Sequence, residues 1–146
     1  MPIKNYTTTV PAAQSVAEIV GALAAHGATK IQQDYDAGRP VSIAFVIDTP
    51  AGPRAFQLPS SADRVKAVLL RQKVKADDAQ AERVAWRILR DWVLSQMAIL
   101  ETEMVAIDQI MLPYMVDDQG RTVYELYKSS QLLLGRGLER EDEGRR

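Results

Sequence analysis

The stretch DAGRPVSIAFVIDTPAGP, residues 36–53, leaves this chain few folds. Val41, Ile43, Phe45 and Ile47 alternate with smaller or more polar residues, the period-2 pattern of a strand with one buried face. Turn residues bound it on both sides, and Gly38 and Gly52 can take the positive φ that tight turns need. The flanking segments Thr29–Tyr35 and Arg54–Leu58 also read as strands. Connections this short cannot make a parallel crossover, so the three strands form an antiparallel meander.

Helical patterns enclose this meander. Ser15 with Glu18 reads as a capping box, and Val16, Ile19, Val20 and Leu23 follow at helical spacing, which predicts a helix over 13–26 ended by Gly27. Ser60 with Asp63 predicts a second helix reaching about Gln72. After KVKADD, Asp77 or Asp78 caps a long helix over 78–101, with Ala85, Ile88, Leu89, Trp92, Ile99 and Leu100 as its apolar side. Thr102–Val105 reads as a break, Ile107–Leu112 as a short helix stopped by Pro113, DDQG (117–120) as a turn, and Thr122–Lys128 as a last short helix, with a strand as the second choice. Lys4–Val10 reads as an edge strand or an extended arm. The expected class is α+β: three or four antiparallel strands in α-β-β-β-α order, helices on one face, and a C-terminal helical arm. Residues 1–72 form the core of this arrangement, 73–134 its helical half, and 135–146 a charged, disordered tail.

Composition excludes several function classes. The 146 residues include no cysteine, which removes disulfides, thiol nucleophiles and Cys-based zinc sites. No signal-peptide pattern opens the chain and no long apolar run spans a membrane, so a cytoplasmic protein is expected. No phosphate-binding loop, dinucleotide fingerprint or nucleophile elbow occurs, so no cofactor and no catalysis are expected. His26, the single histidine, lies at a helix C-terminus where the helix dipole accounts for it. DYDAG (34–38) lacks the later ligands of a calcium loop and reads as a hairpin turn.

Charge is unevenly placed although the net is only −1. Residues 63–90 carry eight basic groups against four acidic, and 91–118 carry six acidic groups and no basic one. Arg83, Arg87 and Arg90 fall within about 60° of one another on a helix, with Trp86 at the border between stripe and core. Arginines beside an aromatic ring suit phosphate contact and base stacking, and Lys73 and Lys75 extend the patch. The plainer reading is a solvated helix face whose arginine stems cover apolar surface. At the acidic end, Met97, Met104 and Met111 with Asp108, Asp117 and Asp118 suit an adaptable protein interface. A long helix with an apolar overhang also suits a homodimer.

Two resemblances add to this. The α-β-β-β-α order over 13–72 resembles the double-stranded-RNA-binding domain in topology, but SSADRVKAV stands where that family has a Lys-rich run. KNYTTTVPA, DYDAGRP, QAERVAWRILRDW, MLPYM and GRTVYE together resemble a family of short uncharacterised proteins of bacteriophages, prophages and integrative elements, over residues 1 to about 134. That resemblance implies an accessory protein of a mobile element. The expected function is binding of nucleic acid through the arginine-lined helix; the alternative is binding of a host or phage protein through the acidic, Met-rich end, as an inhibitor of a host defence or replication complex.

Overall fold

The computed structural model describes residues 1–129. The tail expected to be disordered, 135–146, lies outside them. Helix α1 (Ala12–Ala25) leads into β1 (Ala28–Asp36), β2 (Arg39–Thr49) and β3 (Gly52–Gln57), followed by α2 (Ala62–Arg71) and the long α3 (Asp78–Glu101). A short α4 (Ile107–Met111), one 3-10 turn (Leu112–Tyr114), a two-residue strand β4 (Met115–Val116) and α5 (Val123–Lys128) complete the order. The class is α+β, as the sequence pattern requires. The four strands are antiparallel, in the order β1-β2-β3-β4.

The hairpin between β1 and β2 is closed by Ala37 and Gly38, both at positive φ, the two-residue turn whose twist matches the strands. In β2 the alternation holds: Ile43, Phe45 and Ile47 are buried, and Phe45 stacks on Phe56 of β3 with ring centres 5.2 Å apart. α1 covers this face with Val16, Ile19 and Leu23, and α3 with Trp86, Leu89, Val93 and Met97. Among the described residues the opposite face is covered only where α5 flanks a depression shared with Val46 and Ala55.

Several expectations need correction. Lys4–Val10 is no strand; the fourth strand is β4, and the N-terminal segment instead lies across α3. Gln80 donates to the carbonyls of Tyr6 and Thr8, and Asp91 accepts from Asn5 and pairs with Lys4. Burial raises the Asp91 carboxyl, but hydrogen bonds from Asn5, Arg90 and Lys4 outweigh it and hold its pKa at about 2. Ser15 caps nothing: α1 begins at Ala12 after Pro11, which leaves Ser15 buried in the first turns with its hydroxyl unpaired. α2 is capped by Ser61, one residue later than Ser60, through a bond from the Arg64 amide. The likeness to the double-stranded-RNA-binding topology stops at element order, because α2 packs on α3.

The largest correction concerns α3. Its apolar residues form two faces. Trp86, Leu89, Val93 and Met97 meet α1 and the sheet, while Ala81, Val84 and Ile88 meet Leu69 of α2. At ~100° per residue these sets are centred roughly 140° apart. A single averaged apolar side puts Trp92 at its centre and Trp86 at its border. The structure reverses them: Trp86 is 1% exposed and its Nε1 donates to the Pro40 carbonyl at 3.3 Å, whereas Trp92 is half-buried and edge-on to Tyr114.

His26 ties the two long helices at one end. Its Nδ1 lies 2.7 Å from the Ala22 carbonyl and its Nε2 3.0 Å from a Glu101 oxygen. Only the imidazolium can donate from both nitrogens. The bond to Ala22 and the bond to Glu101 raise its pKa above the ordinary 6.5. The contribution to stability is therefore complete below about 6.5 and is lost as pH rises through the higher folded value. Chemical denaturation should show a midpoint that falls as pH increases through this range, and Glu101→Gln should flatten the dependence.

Candidate nucleic-acid interface

Three helix-spaced arginines on α3 do not make an open stripe, because α1 lies alongside. Glu18 of α1 accepts hydrogen bonds from Nη1 of Arg87 and from Nε of Arg90, the latter at 3.1 Å. Arg90 also reaches Asp91 at 3.0 Å. Burial raises the Glu18 carboxyl, but the Arg87 bond, the charges of Arg87 and Arg90 and a bond from Gln14 hold it below its ordinary 4.5. Both guanidinium groups are half-buried helix-to-helix clamps. Trp86, expected beside them as a stacking platform, has no exposed ring surface to offer a base.

Glu18 is the residue that sequence reasoning misplaced. Assigning it to a capping box with Ser15 gave it a local partner and hid its role across helices. Arg83 stands apart from its two neighbours. Its Nε and Nη2 donate to Gln80 at 2.9 and 2.6 Å, and it takes no ion pair among the described residues.

The accessible basic surface lies one element earlier, at the hinge between α2 and α3. Arg71, Lys73 and Lys75 are exposed and, among the described residues, in no ion pair. Lys75, Arg83 and the exposed Leu70 line one shallow depression of about 570 Å³ together with Gln80. The hinge is shaped by the end of α2. Val74 donates to the Leu69 carbonyl at 2.9 Å and Lys73 to the Leu70 carbonyl at 3.0 Å, the paired bonds of a Schellman motif. Val74 packs on Leu69, the apolar contact that accompanies the motif. Its left-handed position is held by Lys73, at φ +60°. Glycine is the ordinary occupant there, and a side chain costs roughly 1 kcal/mol. Lys73→Gly should therefore raise the thermal midpoint by about 2–4 °C for a chain of this size, read by differential scanning calorimetry.

At the acidic end the expected interface residues separate. Met97 and Met111 are 2% and 0% exposed and belong to the core, because α4 and the 3-10 turn fold back over the end of α3. The apolar overhang expected to seek a second copy is thus covered in part by its own chain, at Met97 and Leu100, while Ile99 stays exposed. Met104 is 70% exposed, in the break after α3. Asp108 opens α4, where its charge suits the helix N-terminus. Asp117 closes its own turn, accepting from the amides of Gln119 and Arg121 and from Nε of Arg121. Asp118 is exposed beside it.

These features define an α+β protein with an exposed basic hinge and an internally paired helix core. Against protein families, curated proteins and solved structures, the chain finds no match. Among the described residues no helix is long and apolar enough to cross a membrane.

Proposed function

We propose that the protein acts by binding nucleic acid through the α2–α3 hinge, with Arg71, Lys73, Lys75 and Arg83 contacting phosphates. One observation carries this reading: a lysine occupies the left-handed position of the hinge, where glycine is the ordinary occupant, and its charge joins the exposed Arg71 and Lys75, which form no ion pair among the described residues. Strain kept at an exposed cationic turn supports a role outside the fold. Leu70 adds an apolar contact for sugar or base edges. The resemblance to proteins of phages and integrative elements supplies the context of a non-catalytic accessory protein in the cytoplasm.

Four phosphate contacts give a steep salt dependence, with log K falling against log salt at a slope of about −3 to −4 for duplex DNA. Fluorescence anisotropy with labelled single- and double-stranded oligonucleotides measures it. Absence of binding to every oligonucleotide at low salt would remove the proposal. A second reading, protein binding, rests on Met104 standing exposed in the break after α3, flanked in sequence by the exposed acidic groups Glu101 and Glu103. A basic partner protein would suit that end.

A further inference from the structure

Strand β1 forms one edge of the sheet, and its nine residues from Ala28 to Asp36 are exposed or half-buried throughout. An edge this long presents a row of unpaired backbone groups, the template onto which another strand adds. The register fixes its faces. Ile31 and Gln33 lie opposite buried Phe45 and Ile43, so they face the helices, and Lys30, Gln32 and Asp34 face the open side.

The sequence of this edge is complementary to itself. Laid antiparallel on a second copy about a two-fold axis at Gln32, the midpoint of the strand, the regular run from Lys30 to Asp34, between the register shifts near its two ends, pairs with itself. Lys30 of each copy then falls opposite Asp34 of the other, twice, on the open face. Directly opposed charges of unlike sign stabilise an antiparallel pair, and like charges there destabilise it. Above the edge, the flank of α1 turned away from α3 carries Ala13, Ala17 and Ala24, exposed and uncharged. The single charge of α1, Glu18, is turned to α3. Nothing charged on that flank opposes a second α1 brought alongside.

The geometry points to a two-fold homodimer formed by antiparallel β1–β1 pairing, which joins two four-stranded sheets into one of eight and sets Lys30 against Asp34 across the axis. The partner is a second copy of this chain, and the interface is isologous. It is separate from the hinge, so the dimer presents two basic hinges.

Charge exchange tests it, with mass measured by sedimentation equilibrium of the full chain. Wild type should run as two chains. Lys30→Asp and Asp34→Lys, each alone, should weaken association about tenfold or more, since both cross-axis pairs become like-charged. An equimolar mixture of the two variants should recover the dimer, as should the double variant that exchanges both charges within one chain. Thermal melts confirm that each variant is folded. A monomeric wild type, single variants that stay fully dimeric, or a mixture of folded variants that stays monomeric would overturn the assignment. If the edge accepts a strand from a different protein, wild type alone runs as a monomer.

Discussion

Trp86→Ala is expected to cost about 3–5 kcal/mol of stability, the range for truncating a buried aromatic side chain. The ring is enclosed between α1, the sheet and α3, and its indole nitrogen bonds the Pro40 carbonyl where the β1–β2 hairpin returns. Removal leaves a cavity in the main core and takes the indole donor from the Pro40 carbonyl near the turn of that hairpin. Trp92→Ala should cost less, because Trp92 is half-buried and loses chiefly its contact with Tyr114. Urea denaturation of the two variants distinguishes them. If Trp92→Ala is the more damaging, the two-faced reading of α3 is wrong.

Charge reversal at the hinge should act in the opposite manner, on binding and hardly on folding. Lys73 and Lys75 are exposed and take no ion pair among the described residues, so Lys73→Glu/Lys75→Glu breaks no ion pair there. The double variant should bind a duplex oligonucleotide at least about tenfold more weakly at low salt, with a salt slope shallower by about 2. Its thermal midpoint should remain within a few degrees of wild type, because substitutions at exposed positions seldom exceed about 0.5 kcal/mol.

How much of this was legible beforehand depends on whether the signal was local. The β2 alternation, the flanking turns, the bounds of α3 and the Asp77 cap are set by neighbours in sequence, and local chemistry suffices to find them. The meander followed from turn length alone. What the sequence could not disclose was which surface each helix turns to which partner. α3 packs on two sides, so its apolar positions blend into one broad arc in sequence, and the exchange of Trp86 and Trp92 follows from that blending. Arg87 and Arg90 looked free because Glu18, sixty-nine and seventy-two residues away, appeared to have a local role. The hinge cations were visible as a charge cluster. Their importance relative to the α3 stripe depended on knowing that α1 shields that stripe. Likewise β4 is two residues long and carries no pattern of its own; it exists because the chain returns past Phe56.

The central claim is that the basic hinge, and not the α3 arginines, is the surface that meets phosphate. Anisotropy titration of one labelled duplex at low salt, run side by side on wild type, Lys73→Glu/Lys75→Glu and Arg87→Gln, tests it most directly. The hinge variant should lose at least about tenfold in affinity, and Arg87→Gln should stay within about twofold of wild type as long as it is folded. Equal binding by the hinge variant and wild type, or a larger loss from folded Arg87→Gln, would contradict the account.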